Sequence, residues 1–155
     1  VGAESAAILR QHLDEVGGLG MAEYSKDVSP VGWYVGSYQL RFVELDASEN
    51  DDPDAEFTVW ENTVIVKADS FAIAYEKVIA VGMEATSPYK GGDQGTPVQW
   101  LFEGVTELLP IYEPLDDGAE IMWAEHPATR LTRLRQRARS LEELRQRLDK
   151  DAGQG

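Results

Sequence analysis

The stretch WYVGSYQLRFVEL, Trp33 to Leu45, decides how the rest of this chain is read. It alternates: Tyr34, Tyr38, Leu40 and Phe42 fall on one face, with Ser37, Gln39 and Arg41 on the other. Successive side chains of a strand point to opposite faces, so this period of two predicts a half-buried strand. The segment that follows, DASENDDPDAE (46–56), holds six acidic side chains and Pro53. It is too charged to pack and predicts a long hairpin loop. Beyond it FTVWENTVIVKA (57–68) forms a second strand, with Trp60, Val64, Val66 and Ala68 on one face and Val59, Thr63 and Ile65 on the other. Asn62 shares the Trp60 face and is a candidate buried polar group needing a partner.

Working outward, Asp69 or Ser70 caps a helix through about Val81, with Phe71, Ala74, Tyr75 and Val78 as its apolar stripe and Gly82 near its end. The glycine- and proline-rich TSPYKGGDQGTP (86–97) reads as a flexible loop. A third strand is expected from about Val98 to Tyr112, with Pro110 ending regular pairing. After a turn at Asp116-Asp117-Gly118, Ala119–His126 is expected as a fourth strand, carrying Ile121 and Trp123 on one side. The order β-β-α-β-β predicts an α+β fold, an antiparallel four-stranded sheet with one helix on a face. Helices flank it. Ile8, Leu9, Leu13 and Val16 predict one over residues 3–16, and residues 17–32 read as a linker or a loosely docked arm. Pro127 opens the last helix. The expected organisation is an N-terminal helix and linker (1–32), an α+β core (33–126) and a basic C-terminal helix (127–155).

The charge is divided unevenly. The whole chain of 155 residues carries -14, from 28 acidic and 14 basic residues. Residues 127–155 hold eight basic and four acidic side chains, so the tail is +4 and the remainder -18. An acidic body repels phosphates, which disfavours nucleic acid and favours a basic partner. Along the tail Leu131, Leu134, Ala138, Leu141 and Leu148 keep a three-four spacing, with Leu144 beside it, an apolar stripe suited to docking or assembly. Ser140-Leu-Glu-Glu143 matches a capping box that restarts a helix after a break near Arg139. The absence of cysteine removes disulfides and thiolate chemistry and fits a reducing, cytoplasmic setting. The apolar runs are strand-sized, so no membrane span is expected.

No catalytic constellation emerges. His12 and His126 have no second ligand at a metal-like spacing. The Asp51–Asp54 run lacks the spacing of a calcium loop, and Gly91–Gly95 lacks the lysine of a phosphate loop. Glu103 and Glu107 share a strand face, and Glu120 and Glu125 would lie on an adjacent strand, so an acidic cluster is conceivable there; a solvated sheet face is the plainer reading. Trp33, Trp60, Trp100 and Trp123 fall one to a strand and would pack under the helix or line a ligand wall. The nominated binding residues are Trp60, Glu61, Trp100, Glu103, Glu107 and Trp123. The nominated interface residues are Leu131, Leu134, Arg137, Leu141, Leu144 and Leu148. No catalytic residue, metal or cofactor is nominated.

Trp33-Tyr34-Val35 leading to Arg41-Phe42, Trp60-Glu61-Asn62 with Val64-Ile65-Val66, and Ala68-Asp69-Ser70 opening a helix with Ala74 and Tyr75 form an ordered set of motifs. Gly104, Val105, Leu108 and Tyr112, then Asp117-Gly118-Ala119-Glu120-Ile121, extend it. From Trp33 to Glu125 the chain resembles the bacterial domain-of-unknown-function family 4288. The resemblance implies a small α+β fold and brings no activity or catalytic residue. The expected function is a non-catalytic protein-binding module of the immunity or inhibitor kind, presenting an acidic surface to a basic partner or self-associating. The alternatives are a small-molecule binder or enzyme using the aromatic and acidic sheet face, and assembly through the C-terminal helix.

Overall fold

The computed structural model describes residues 26–152. The expected helix over 3–16 lies outside them. The elements are β1 (Trp33–Glu44), β2 (Val59–Lys67), α1 (Phe71–Glu84), β3 (Tyr89–Gly91), β4 (Thr96–Pro110), α2 (Leu131–Arg137) and α3 (Leu141–Ala152). The four strands form an antiparallel sheet in the spatial order β2-β1-β4-β3, which with α1 makes an α+β fold.

Strand β1 is central, flanked by β2 and β4. Tyr34 through Tyr38 are buried on both faces, where alternation alone predicts one. Val35 is fully buried, and Ser37 on the same side shares a 2.7 Å hydrogen bond with Thr63 of β2. The other face carries the core. Tyr34, Tyr38 and Leu40 from β1, Val66 from β2 and Leu108 from β4 pack with Ala74 and Val78 of α1. Ser70 caps α1, its hydroxyl accepting from the Ile73 N–H at 3.2 Å. Gly36 and Gly82 are glycines because the layers touch there: a Cβ on Gly36 would stand 2.5 Å from Val78, and one on Gly82 would stand 2.6 Å from Phe102.

The turn before β1 is fastened to the end of β4. Ser29 is buried; its hydroxyl donates to the Ile111 carbonyl at 2.6 Å and accepts from the Val31 and Trp33 N–H groups. Its own N–H donates to the Tyr34 hydroxyl at 3.0 Å. Residues 26–32 are therefore tied into the sheet's end.

The second strand pair differs from expectation. Ala119–His126 is not a strand; it runs without regular secondary structure. The place beside β4 belongs instead to β3, from the segment expected as a loop. Gly92 and Gly95 both adopt positive φ, and the Gly95 N–H donates to the Gly92 carbonyl at 3.2 Å, closing a tight hairpin from β3 to β4. The turn at Asp116–Gly118 forms as expected, with Gly118 at φ 80°.

The chain divides into two units after Trp123. In the second, the helix expected from Pro127 begins at Leu131, and the break expected near Arg139 divides it in two. Ala138 is extended between α2 and α3, and α3 restarts through a reciprocal capping box. The Ser140 N–H donates to the Glu143 carboxylate at 2.7 Å, and the Glu143 N–H donates to the Ser140 hydroxyl at 3.2 Å. Leu131, Leu134, Leu141, Leu144 and Leu148 are all exposed. Among the described residues no helix is long and apolar enough to cross a membrane.

Candidate functional site

The β1–β2 hairpin end of the sheet gathers most of the residues with chemical interest. On the helix-bearing face, register sets Leu40 opposite Trp60 on one side and Phe42 opposite Trp100 on the other. The Trp60 and Trp100 rings lie 4.6 Å apart and tilted, and Phe42 meets Trp100 edge-on at 5.2 Å. Trp100 packs on the core, whereas Trp60 keeps 57% of its surface exposed. Helix α1 contributes Gly82 against Phe102, the β4 position facing Leu40, and ends at Glu84. The tryptophan pair is thus an open apolar platform and not a buried layer beneath the helix.

On the opposite face, Arg41 organises the acidic loop. Its Nε forms an ion pair with Glu103, its Nη1 donates to the Asn50 carbonyl at 2.8 Å, and its guanidinium lies 4.7 Å from the centre of the Phe57 ring. The Asn50 amide in turn donates to the Glu44 carbonyl at 2.7 Å. Arg41, Asn50, Phe57 and Glu103, with Asp51, Asp52, Pro53 and Ala55, line an open groove of about 340 Å³. The loop is therefore held in shape while Asp46, Glu49, Asp51, Asp52, Asp54 and Glu56 remain exposed. Arg41 is the sole basic residue between Trp33 and Val66, and Glu103 neutralises it.

Two irregularities in β4 supply these contacts. The β1–β4 register shifts between Ser37 and Tyr38 and again between Gln39 and Leu40, passing over Thr106 and Glu103. A bulge re-aims the residue it leaves unpaired. Thr106 donates to the Glu61 carboxylate at 3.1 Å, and Glu103 reaches Arg41. Gly104, at φ 138°, sits between the two shifts.

The nominated residues are consequently distributed. Trp60 and Trp100 come together. Glu61, Glu103 and Glu107 lie on the Arg41 side, so no single face combines the aromatic and acidic groups. Glu107 accepts from the Leu108 N–H at 3.2 Å. Trp123 lies outside the sheet, half exposed, and Glu120 and Glu125 are not on a strand next to Glu103 and Glu107. Among the described residues no three His, Asp or Glu side chains are placed to hold a metal ion. Sequence reasoning passed over Phe42, Arg41, Asn50 and Phe57 as site residues. The usable signals were a lone arginine before an acidic loop and a glycine inside a strand.

The family model described as "Domain of unknown function (DUF4288)" matches residues 33–123, the sheet, its helix and the segment that follows. The chain belongs to the DUF4288 family. No curated protein and no solved structure matches it. The DUF4288 match spans both the Trp60–Trp100 platform and the Arg41 groove, and it stops before α2 and α3.

Proposed function

We propose that this protein is a non-catalytic binding module that captures a basic protein at the β1–β2 hairpin end of its sheet. The observation that carries this reading is the exposed Trp60, stacked on Trp100 at the end of the sheet closed by the acidic loop. Residues 42–66 contain eight acidic side chains and no basic one, and the loop among them is pre-shaped by Arg41. An exposed indole in an acidic field suits an arginine- or lysine-bearing surface, which gains cation–π contact and electrostatic steering together. Groups that reach opposite faces of one sheet end serve a partner that grips the end better than a small molecule held between them.

The test is capture at low salt with three baits: the parent chain, Trp60→Ala, and a variant with Asp51, Asp52 and Asp54 changed to Asn. The reading expects a basic protein that the parent retains, with affinity lowered about thirtyfold by the loss of an aromatic anchor and a steeper salt dependence for the parent than for the Asn variant. Retention that is indifferent to both changes, or no retained basic protein, would count against it.

A second reading is favoured by the exposed Leu141, Leu144 and Leu148 of α3: assembly through the tail. Changing Leu141 and Leu148 to Glu should then lower the oligomeric mass in solution, and an unchanged mass would remove that role.

A further inference from the structure

Strand β2 is an edge. Among the described residues no other strand pairs with its outer side, and its register with β1 runs without a shift from Val59 to Lys67. The direction of its main-chain groups follows from the ladder. The Phe42 N–H donates to the Thr58 carbonyl at 2.9 Å, and the Ala68 N–H donates to the Gly32 carbonyl at 3.0 Å. Hydrogen-bonded pairs alternate along an antiparallel ladder, so the even residues of β2 face β1 and the odd residues present their N–H and C=O groups outward. The Lys67 carbonyl agrees, since it accepts from Lys77 Nζ of α1 instead of from β1. Val59, Glu61, Thr63 and Ile65 thus form an open row of donors and acceptors, to which Lys67 adds its N–H. Val59 and Ile65 are 52% and 44% exposed.

Such an edge is a template for another strand unless it is short, bulged, proline-bearing or heavily charged. This one has nine residues, no proline and only two charges, Glu61 and Lys67. We infer that β2 pairs antiparallel with β2 of a second copy of this chain, about a two-fold axis through Val64. The two charges select both the occupant and the register. With the axis at Val64, Glu61 stands opposite the partner copy's Lys67 in a hydrogen-bonded pair, and the same contact repeats on the other side of the axis. An axis at Thr63 would set Glu61 against Ile65, and one at Glu61 would oppose like charges. With the axis at Val64, Thr63 faces Ile65 twice and Val64 faces itself, β-branched pairs that suit cross-strand packing. Four hydrogen-bonded pairs, less the Lys67 carbonyl that Lys77 holds in each copy, supply about six main-chain bonds, and the isologous geometry closes after two copies instead of growing. This surface is separate from the Trp60–Trp100 platform, whose rings point to the helix-bearing face.

The test is sedimentation equilibrium of the full chain over a wide concentration range, with circular dichroism to verify folding. The parent should be a dimer. Ile65→Pro removes an outward N–H that β1 does not use, and by symmetry two intermolecular bonds; it should weaken the dimer about thirtyfold with the fold retained. Glu61→Lys and Lys67→Glu should each weaken it about tenfold, and the double exchange should restore it. As a probe independent of mutation, hydrogen exchange at Thr63, Ile65 and Lys67 should slow as concentration rises. A parent that stays monomeric, a dimer unaffected by Ile65→Pro, or a double exchange that fails to recover association would each overturn the proposal.

Discussion

A methyl group at Gly36 would stand 2.5 Å from one Val78 methyl and 3.2 Å from the other, so helix α1 lies directly on the backbone of the central strand. Gly36→Ala should therefore destabilise the fold by about 1–3 kcal/mol through overpacking. Val78→Ala opens a gap in the same place. The double variant should be more stable than the sum of the single losses predicts, with a coupling of about 0.5–3 kcal/mol in denaturant unfolding. Additive losses would mean that the sheet and helix shift apart freely.

Ser29 gathers four hydrogen bonds in a buried site, with Val31, Trp33, Tyr34 and Ile111 as its partners. Ser29→Ala leaves N–H groups and a carbonyl without their partner and should cost about 1–3 kcal/mol. Tyr34→Phe removes a single acceptor, from the Ser29 N–H, and should cost less. Thermal unfolding of the two variants checks the order.

Arg41→Met should leave global stability within about 1 kcal/mol, because its ion pair with Glu103 is partly solvated. Its effect should be local. Amide exchange across residues 46–56 should accelerate as the Asn50 carbonyl loses its donor and the guanidinium leaves Phe57.

The Glu143 carboxyl is held below the usual glutamate range by the Ser140 backbone N–H, then by the Ser140 hydroxyl, with Arg139 adding a smaller attraction. A carboxylate with a lowered folded pKa stabilises the helix above its unfolded pKa, and that contribution is lost as pH falls through the folded value. Helical signal from α3 should therefore fade on acidification, and Glu143→Gln should flatten that dependence. Carbon-detected titration of Glu143 gives the midpoint directly.

What the sequence displayed depended on how local the deciding physics was. β1, β2 and α1 were legible because alternation, the acidic loop and the Ser70 cap are each written within a few residues. The capping box at Ser140 was legible for the same reason. The fourth strand was not. Ala119–His126 carries Ile121 and Trp123 at strand spacing, yet a strand also needs pairing with a neighbour, and among the described residues it is β3 that pairs with β4 on the side away from β1, over Thr96–Val98. Three residues were enough there because Gly92 and Gly95 permit a tight turn, so a glycine-rich run read as flexible was a hairpin. The site suffered similarly. Trp60 and Trp100 meet across β1, as their places on flanking strands allowed, but period-two counting through β4 takes no account of two shifts around Gly104. Those shifts aim Thr106 and Glu103 at their partners, which no pattern confined to one strand reveals.

The bond from the Ile111 N–H to the Trp33 carbonyl, at 2.9 Å, has a mechanical side. It places the start of the central strand and the end of its longest neighbour side by side. Tension drawn through the flanking segments would load the β1–β4 ladder at this one end and open it rung by rung, as a zipper. An antiparallel pair pulled in that way yields at low force, since no two rungs share the load. The contacts of Ser29 would then be among the first to carry it, and the hairpin end with its tryptophans would be the last part of this ladder to come apart.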